Sequence, residues 1–543
     1  MNNTIIKLNE PENEPILSYA PNTPERDELK RKIKDLKSQV IEIPLIIGGK
    51  EIRTGKIGEV VIPHENKKII AKYHKATPKE VALAIETAMK VKKEWSAMRW
   101  EERVKIFLKA AELLSGPWRQ TLNAATMLGQ SKNPFQAEID SACELIDFFR
   151  FNSYFAATIY SNQPFSPKPT FNYMEYRPLE GFVFAVTPFN FTSIAGNLPS
   201  APALMGNTVI WKPASTAVYS AYYLMKLWKD AGLPDGVINM VVGSGGDVGN
   251  PVLDNENFGG LHFTGSTAVF QGMWSIASRN LFKYKSYPRI VGETGGKDFV
   301  FVHSSCDRKV LITALIRGAF EYQGQKCSAA SRAYIPDSVW KDIKDELVAE
   351  IKSIKMGVVD DFSNFMNAVI DKNSFENIKA YIEYAKKSPE AEILVGGGCD
   401  DSEGYFIQPT VIIAKNPHFK TMVEEIFGPV LTVYIYDDDK FEETLKLCNE
   451  TSAYGLTGSI IAQDRSAILK ASEILYNAAG NFYINDKPTG AVVNQQPFGG
   501  GRASGTNDKA GSWLNLIRWV SPRAVKENFV PPKEWKYPFM REP

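Results

Sequence analysis

The chain of 543 residues carries almost no net charge and has no long hydrophobic run. Its formal net charge is +1 and its basic residues are not concentrated, so charge gives no support to nucleic-acid binding. No run of 18 or more apolar residues occurs, so neither a transmembrane helix nor a membrane partner is expected. The remaining composition predicts a soluble globular protein of roughly two to four domains.

Cysteine and histidine are scarce, with five residues of each. The cysteines form no C-x-x-C pair, which argues against a disulfide framework and a structural zinc site. The histidines show no H-E-x-x-H pattern, so no metal is expected. The polar N-terminus, up to about Ala20, resembles neither a signal peptide nor a transit peptide. A cytoplasmic location is therefore predicted, with the mitochondrial matrix as the alternative for a eukaryotic source and a short processed leader left open.

Residues 1–164 are predicted to form an N-terminal arm and a helical part. The pattern of apolar residues predicts a helix in Pro24–Val40, two amphipathic helices in Pro78–Ser115 and one long helix in Phe135–Tyr160. The segment before residue 40 is charged and contains prolines, so we expect it to wrap over the body.

From residue 181, short apolar runs alternate with helical segments, which is typical of βαβ units and a parallel sheet. The expected strands are Gly181–Thr187, Thr208–Trp211, Val237–Val242, Leu261–Thr264 and Ile290–Val291, and the expected helices are Thr216–Asp230, Asp247–Asp254 and Thr267–Arg279. A second α/β part is predicted over 296–515, after a first part over 181–295. The segments 165–180 and 516–543 are expected to form an extension that reaches a neighbouring subunit.

Cys327 lies among small and polar residues, next to the cation Lys326 and the hydroxyl of Ser328. Such a setting favours a reactive thiolate, although a free cysteine is often only a small buried residue. Lys326 is expected either to lower the pKa of the thiol or to pair with Glu144 on the long helix.

Glu293 and Asn190 add a carboxylate in a glycine-rich segment and an amide at the end of an apolar run. A nucleophile, a base and an amide donor are what acyl transfer at a carbonyl requires. Each residue also has a structural interpretation, Glu293 as an ion-pair partner of Lys297 and Asn190 as a turn residue. Their joint occurrence at predicted strand ends favours a catalytic role.

Loops at other strand ends are candidates for nucleotide binding. Gly243–Gly249 does not match G-x-G-x-x-G, so a plain turn explains it equally well. Phe263–Ser266 opens a helix whose backbone N–H groups could hold a phosphate, or Ser266 simply caps that helix. Lys212 ends a strand, where ligands of parallel sheets bind, and a solvated lysine is the alternative. The three consecutive glycines in Pro497–Asn507 allow backbone to approach a ligand.

Taken in order, the motifs of Asn190, Lys212, Ser266, Glu293, Cys327 and Glu425 resemble those of the aldehyde dehydrogenase superfamily from about residue 40 onward. The resemblance implies an α/β fold with a Rossmann-like NAD-binding domain, a catalytic domain and a small β extension that makes at least a dimer. It implies Cys327 as nucleophile, Glu293 as general base and Asn190 as oxyanion donor.

The resemblance also implies NAD as the cofactor of an oxidoreductase. The implied contacts are Thr187, Pro188, Phe189, Lys212, Ser215, Gly245, Gly249, Thr264, Gly265, Ser266, Glu425 and Phe427. The family often has an acid at the position of Ser215, which would repel a 2′-phosphate. NAD is still expected, and the serine leaves tolerance of NADP open.

Within the superfamily, the likeness is to members that oxidise L-glutamate γ-semialdehyde, the open-chain form of 1-pyrroline-5-carboxylate, in the second step of proline degradation. This likeness is carried by the segments Gln325–Ala330, Thr489–Val493, Gln495–Gly500 and Arg502–Lys509. The substrate contacts that it implies are Ser328, Gly490 and Ala491 for the α-carboxylate, with Phe191 and Phe498 as aromatic walls. Backbone N–H groups and a hydroxyl can bind a carboxylate without a competing cation.

Other functions stay open. The nearer alternative is oxidation of a different aldehyde, such as succinate semialdehyde or a betaine aldehyde. The more distant one is a non-enzymatic nucleotide-binding or lens-type protein on the same fold, against which the intact Cys327, Glu293 and Asn190 argue. A cysteine hydrolase is disfavoured because no histidine stands in a suggestive motif.

Overall fold

The structure, a computed structural model, describes residues 6–542. The α-helices in this range are α1 (Pro24–Lys37), α2 (Pro78–Ala97), α3 (Trp100–Ser115), α4 (Arg119–Gln130), α5 (Pro134–Ala137), α6 (Leu145–Ser161), α7 (Thr192–Leu204), α8 (Val218–Ala231), α9 (Gly245–Leu253), α10 (Thr267–Arg279), α11 (Arg308–Phe320), α12 (Asp337–Ser353), α13 (Lys372–Lys387), α14 (Lys420–Val423), α15 (Phe441–Glu450), α16 (Arg465–Ile474) and α17 (Trp513–Leu516). A π-helical segment covers Glu138–Glu144, and 3₁₀ turns cover Ser215–Ala217, Glu321–Gly324, Asp438–Lys440, Ile517–Trp519 and Pro538–Met540.

The strands in the same range are β1 (Ile41–Ile43), β2 (Leu45–Ile47), β3 (Lys50–Ile52), β4 (Ile57–Ile62), β5 (Glu65–His74), β6 (Thr170–Pro178), β7 (Phe182–Val186), β8 (Val209–Lys212), β9 (Ile238–Met240), β10 (Phe258–Thr264), β11 (Arg289–Glu293), β12 (Asp298–Val302), β13 (Ala330–Pro336), β14 (Ala391–Val395), β15 (Cys399–Asp400), β16 (Phe406–Ile407), β17 (Thr410–Ala414), β18 (Val430–Tyr436), β19 (Tyr454–Gly455), β20 (Thr457–Ile461), β21 (Asn481–Ile484), β22 (Gly501–Arg502) and β23 (Val520–Asn528).

The first large sheet has the strand order β11-β10-β7-β8-β9-β2-β3. Its first five strands are parallel, which confirms the strands and the βαβ pattern predicted between residues 181 and 293. Every residue of β7 and β10 is buried, as expected for strands covered on both faces. The helices α8, α9 and α10 also lie where the sequence predicts them.

The second large sheet has the order β14-β17-β18-β13-β12-β20-β21. Its strands are parallel except β14, which runs antiparallel to β17 at the edge. The first sheet ends at Glu293 and the second begins at Asp298. Cys327, which lies just before β13, therefore belongs to the second sheet, while Glu293 belongs to the first.

Five strands between Ile41 and His74 are not predicted by the sequence pattern. Two of them, β2 and β3, extend the first sheet in antiparallel orientation, and β1, β4 and β5 form a separate three-stranded sheet. β1, β2 and β3 have three residues each, which is too short to show a clear alternation of apolar and polar residues.

The single long helix predicted over Phe135–Tyr160 is wrong in one respect, because π-helical geometry interrupts it over Glu138–Glu144. The wider turns bring Glu138 and Asp140 to buried positions, each fully shielded from solvent. There they bond to cationic side chains, Glu138 to Arg119 and Asp140 to Lys132. Interruptions of this kind occur frequently at functional sites.

The N-terminal arm packs on the body, as expected. Leu17 N donates to Glu138 Oε1 at 2.9 Å, and the hydroxyl of Tyr19 donates to Glu138 Oε2 at 2.8 Å. The Glu14 carboxylate pairs with both Arg119 and Arg150 at 2.6 Å. These contacts hold the arm against the helices that follow it.

The predicted extension takes the form of a ribbon in which β6 and β23 pair antiparallel over nine residues each. It leaves the aromatic side chains of Phe165, Phe171 and Phe529 exposed. None of the helices between residues 6 and 542 is long and apolar enough to cross a membrane. In the same residues no group of three or more His, Cys, Asp or Glu side chains is arranged to hold a metal ion.

A buried ion pair positions the start of α7. Lys132 is fully buried, and its Nζ lies 2.7 Å from Asp140 Oδ2. The same carboxylate accepts from the backbone N–H groups of Thr192 at 3.0 Å and Ser193 at 2.8 Å. Asp140 thereby satisfies two of the free N–H groups at the N-terminus of α7 and stabilises the positive end of its dipole.

We expect Asp140→Ala to lower the free energy of unfolding by about 3–5 kcal/mol, because it leaves the buried Lys132 ammonium without its partner. The measurement is urea denaturation followed by circular dichroism. Asp337→Ala is the matched control, since it removes an exposed i,i+4 partner of Lys341 and should change stability little. Equal stability of Asp140→Ala and the wild type would contradict the role given to the buried pair.

Candidate active site

The turn that precedes Cys327 has an unusual backbone. Tyr322 and Gln323 have φ values of 50° and 54°, and Gly324 continues with 65°. Residues other than glycine rarely adopt this left-handed region. At Gly324, a Cβ would collide with the carbonyl oxygen of Gly428. The chain therefore leaves α11 through a tight, close-packed turn, and this turn sets the direction from which Cys327 enters the site.

Glu293, at the end of β11, lies beside Cys327. The distance between Cys327 Sγ and Glu293 Oε1 is 3.8 Å, with the thiol as donor. Burial raises the pKa of Glu293 to about 8. A carboxyl with a pKa near neutrality can both accept and return a proton at physiological pH. The predicted pairing of this nucleophile and this base is thus present in the folded chain, with the two residues supplied by different sheets.

The expectation that Lys326 lowers the pKa of the thiol is wrong. Burial raises the pKa of Cys327, and the negative charges of Glu293 and Asp298 raise it further. Lys326 Nζ instead bonds to Glu321 Oε2 at 3.0 Å. The thiol is therefore held as a neutral group, and an adjacent base has to remove its proton.

The alternative partner of Lys326, Glu144, is also engaged elsewhere. Its Oε2 accepts a hydrogen bond of 2.7 Å from Ser193 Oγ at the start of α7. Burial raises the pKa of Glu144 to about 8. The pairing of Lys326 with Glu144 is therefore not formed, because each side chain has a nearer partner on its own side of the site.

Asn190 lies in the loop between β7 and α7 and is 3% exposed. Its Nδ2 donates to the carbonyl oxygen of Gln325 at 3.1 Å. A carboxamide carries two N–H donors, so the second N–H of Asn190 remains available. Gln325, which accepts the first, is two residues before Cys327 in the sequence. The amide and the thiol are thus brought together from positions 137 residues apart in the sequence.

A cavity of about 350 Å³ opens onto Cys327. Its lining includes all of the residues for which the sequence suggests a substrate contact, namely Phe191, Ser328, Gly490, Ala491 and Phe498. A cavity of this size accommodates a small metabolite. The thiol, two aromatic side chains and a segment with free backbone N–H groups therefore face one space.

Thr489 also lines the cavity, and in the sequence only its place in the motif Thr489–Val493 points to it. Its Oγ1 lies 2.7 Å from Ser328 Oγ, so the two hydroxyls orient one another. Gly490 follows with φ of 99°, a value that favours glycine. The Thr489–Ala491 segment is thus shaped by a side-chain contact on one side and by a glycine-specific backbone on the other.

The N-terminal arm also lines this cavity, through Asn13, Glu14 and Ile16. No sequence motif marks these residues as part of a site. They reach it because the arm lies between the helices and the loop that follows Gly490. The only signal in the sequence is their place in a polar, proline-containing arm, which is compatible with many other roles.

On the other side of Cys327, Glu425 marks a second region. Its Oε1 accepts a hydrogen bond of 2.9 Å from the backbone N–H of Gly296, and burial raises the pKa of its carboxyl to about 7. Phe427 has φ of 59° and packs edge-to-face on Phe189, with ring centroids 5.7 Å apart. Residues from the two halves of the chain meet here, as the sequence motifs predict.

Three predicted cofactor residues stand at the carboxyl ends of neighbouring parallel strands. Thr187 follows β7, Lys212 ends β8 and Thr264 ends β10. Thr187 Oγ1 accepts from Trp211 Nε1 at 3.0 Å. Burial lowers the pKa of the Lys212 ammonium, and no carboxylate of the described residues opposes this effect. The edge of the sheet thus presents an amine that is without an ionic partner in residues 6–542.

Two helices begin beside this edge. Ser266, after Gly265, is the N-cap of α10 but its side chain makes no capping bond, which leaves the first N–H groups of a 13-residue helix free for an anion. Gly245 opens α9, where Ser244 provides the cap. Gly249 lies inside α9, and a Cβ there would contact Met273 of α10 at 3.6 Å. Ser215 begins a 3₁₀ turn after Lys212, and Pro188 stands in the loop after β7.

The chain is similar to known proteins over most of its length. The model of the Aldehyde dehydrogenase family matches residues 52–519. A curated mitochondrial delta-1-pyrroline-5-carboxylate dehydrogenase of Dictyostelium discoideum is 56% identical over 98% of this chain and 96% of its own length. The human protein of the same name is 48% identical over 97% of this chain and 94% of its own length.

Among solved structures, the Delta-pyrroline-5-carboxylate dehydrogenase of Mycobacterium tuberculosis bound with NAD has a TM-score of 0.97. It is 51% identical in sequence and covers 100% of both chains. A 1-pyrroline-5-carboxylate dehydrogenase from Thermus with bound NAD has a TM-score of 0.90 at 31% identity, over 96% of this chain and 100% of its own. With most of its length matched by the family and its fold shared with these enzymes, the chain belongs to the aldehyde dehydrogenase family.

Proposed function

We propose that this protein catalyses the NAD-dependent oxidation of L-glutamate γ-semialdehyde, the open-chain form of 1-pyrroline-5-carboxylate, to L-glutamate in proline catabolism. One observation carries the proposal: the Cys327 thiol lies 3.8 Å from Glu293 and faces the cavity that Ser328, Gly490 and Ala491 line. The names of the relatives and the NAD-bound neighbour support it. The nucleophile determines the reaction class, and the cavity determines which aldehyde reacts.

The reaction begins with loss of the Cys327 proton to Glu293. The sulfur then bonds to the aldehyde carbon, and the carbonyl electron pair moves to oxygen, which gives a thiohemiacetal anion. The Asn190 side chain and the Cys327 backbone N–H donate to this oxygen. One donor of this kind contributes about 2.7–4 kcal/mol to transition-state stabilisation.

When bound, NAD supplies the acceptor for the hydride that leaves the substrate carbon. What remains on Cys327 is a thioester. Glu293 first releases the Cys327 proton to solvent and then takes a proton from water, whose oxygen attacks the thioester carbon. The carbon–sulfur bond breaks, L-glutamate leaves and the thiolate is restored. The same carboxylate therefore serves both steps, which suits a pKa close to neutrality.

The residues of the chain fit a dinucleotide. The free N–H groups at the start of α10 suit a pyrophosphate, and Lys212 offers an ammonium without a carboxylate partner in the described residues for a ribose hydroxyl. Glu425, held by the Gly296 N–H, offers a carboxylate for a second ribose. The NAD-bound neighbour supports NAD as the preferred cofactor. The serine at position 215 adds no negative charge that would repel a 2′-phosphate, so we propose that NADP is tolerated.

The ribbon of β6 and β23 supports a further part of the proposal, a homodimer or larger homo-oligomer. The ribbon exposes aromatic side chains at Phe171 and Phe529, and exposed apolar groups of this kind mark protein–protein contacts. For the compartment, we propose the cytoplasm, or the mitochondrial matrix for a eukaryotic source. Relatives named as mitochondrial support the second.

The substrate assignment is tested by a steady-state assay of NADH absorbance. We expect kcat/KM for L-glutamate γ-semialdehyde to exceed that for succinate semialdehyde and for betaine aldehyde, and NAD to be preferred over NADP. Cys327→Ala should lower kcat by roughly 10⁴- to 10⁶-fold, as loss of a nucleophile does in other covalent mechanisms.

Cys399→Ala is the matched control for this variant. Cys399 is half-buried on β15, outside the cavity, and its loss should leave kcat unchanged. Normal turnover by Cys327→Ala would overturn the mechanism, and a preference for another aldehyde would overturn the substrate assignment alone.

The base is tested by the dependence of kcat on pH. Because burial raises the pKa of Glu293 to about 8, its basic form is depleted below that pH and accumulates above it. We expect kcat to rise with pH, to be half-maximal near pH 8 and to level off above it. Glu293→Gln should remove this rise and lower kcat by about 10²–10⁴-fold. A variant that keeps the wild-type pH profile would show that another group is the base.

Ser328 is tested through substrate choice. Ser328→Ala should raise KM for the semialdehyde by about tenfold, the effect of losing one hydrogen bond to a charged group, and should leave KM for butanal unchanged. Ser331→Ala is the control, because Ser331 makes only a 3.5 Å contact with the Asp298 carbonyl. Equal changes in KM for both aldehydes would remove Ser328 from the carboxylate site.

A further inference from the structure

The loop that lines the cavity after Thr489 is anchored unevenly. At its start, Thr489 bonds to Ser328 inside the site. Gly490 is exposed and Ala491 half-exposed, so neither is held by surrounding side chains. The N–H groups at these two positions are the ones that the proposed function assigns to the substrate carboxylate. Their geometry therefore depends on how the far end of the loop is held.

The far end is bonded to the body, where the backbone N–H of Asn494 donates to the Gly511 carbonyl at 3.1 Å, and also to the N-terminal arm. Three consecutive loop residues bond to it. The carbonyl oxygen of Val493 accepts from Asn13 Nδ2 at 3.0 Å, Asn494 Nδ2 donates to Glu10 Oε1 at 3.3 Å, and Gln495 Nε2 donates to Asn13 Oδ1 at 2.9 Å. The arm and the loop are 480 residues apart in the sequence at Asn13 and Val493.

Asn13 is the centre of this contact. Besides its two bonds to the loop, its Nδ2 donates to Asp147 Oδ2 on α6 at 2.8 Å. Asp147 is buried, and its other oxygen accepts from Glu14 N at 2.7 Å. Both donors and the acceptor of one carboxamide are thus in use, and they connect a helix of the body to the loop.

The arm is itself firmly attached next to Asn13. Glu14 pairs with Arg119 and Arg150 at 2.6 Å, and Arg119 also donates to the Pro15 carbonyl at 2.8 Å. These contacts involve charged, mostly buried groups, which are the stronger kind of hydrogen bond. The arm is therefore bonded both to the helices and to the loop. Because both attachments are firm, the position of the helices determines that of the loop.

We propose that the N-terminal arm is a structural part of the substrate site, and that Asn13 is a positioning residue that holds the Gly490–Val493 loop in the conformation that binds the substrate carboxylate. Asn13 acts through the loop and has no part in the chemistry at Cys327. The inference rests on the proposed function for the identity of the carboxylate ligand. It adds a residue that determines specificity from outside the sequence motifs.

The test is a comparison of KM and kcat for two aldehydes. Asn13→Ala removes the three bonds of the carboxamide. We expect KM for L-glutamate γ-semialdehyde to rise about tenfold, which corresponds to a net loss of about 1.4 kcal/mol. KM for butanal, which has no carboxylate, and kcat for both substrates should stay at the wild-type values.

Asn9→Ala is the matched control. Asn9 is on the same arm and exposed, and its side chain makes no hydrogen bond within residues 6–542. Its replacement should change neither KM. A folded Asn13→Ala protein with unchanged KM for the semialdehyde overturns the inference. An equal rise of KM for both aldehydes, together with a lower melting temperature, also overturns it, since that result indicates general destabilisation.

A second variant keeps the test decisive if Asn13→Ala does not fold. Gln495→Met removes only the bond from the loop to Asn13 Oδ1 and leaves the bonds of Asn13 to Asp147 and Val493 in place. KM for the semialdehyde should rise less than in Asn13→Ala but still more than KM for butanal, and equal effects reject the inference. If the wild type does not oxidise the semialdehyde, the proposed function fails. The same comparison with the carboxylate-bearing aldehyde that it does oxidise then decides the role of Asn13.

Discussion

The active site depends on a lysine ammonium that is buried without access to solvent. Lys132 pairs with Asp140 at 2.7 Å and lies 4.0 Å from the centre of the Phe191 ring and 4.4 Å from that of Tyr322. One charge thus contacts the segment that holds α7, an aromatic wall of the substrate cavity and the turn that leads to Cys327. A buried ammonium without partners would strongly destabilise the folded state. The contacts of Lys132 are therefore expected to form together.

Burial also determines the protonation of Cys327 and Glu293, the proposed nucleophile and base. Removing Cys327 and Glu293 from water disfavours the charged form of each, so the pKa of both rises. The thiol is then unreactive until the adjacent carboxylate accepts its proton. Under the proposed mechanism, activity is therefore sensitive to pH in the range where Glu293 titrates. The cation that the sequence places next to the cysteine has no part in it, because Lys326 bonds to Glu321.

The substrate side is built from segments that are distant in the chain. The N-terminal arm, the helices before residue 161 and the loop after Thr489 meet around one cavity. Gly490 and Ala491, whose backbone N–H groups are the proposed carboxylate contacts, have no long side chain that could hold this segment in place. The segment is instead bonded through Thr489 to Ser328 on one side and through Val493 to Asn13 on the other.

Local patterns in the sequence determine much of the fold and the chemistry. The strands and helices between residues 181 and 293 follow from apolar periodicity, because each is long enough to show its own period. Asn190, Glu293 and Cys327 can be found as candidates since polar residues at strand ends stand out against apolar runs. The sequence also predicts that segments 165–180 and 516–543 form one extension, but not that β6 and β23 pair antiparallel.

Only the tertiary structure decides the remaining features. The short strands β1 to β3 take their conformation from the sheets that they join, and the π-helical geometry of Glu138–Glu144 follows from the buried cations that its carboxylates meet. The partner of Lys326, the direction of the pKa of Cys327 and the contact of Asn13 with Val493 all depend on burial or on residues far away in the chain. Such long-range contacts leave no periodic pattern in the sequence. The sequence alone therefore determines which chemical groups are available, and the fold decides which of them come into contact.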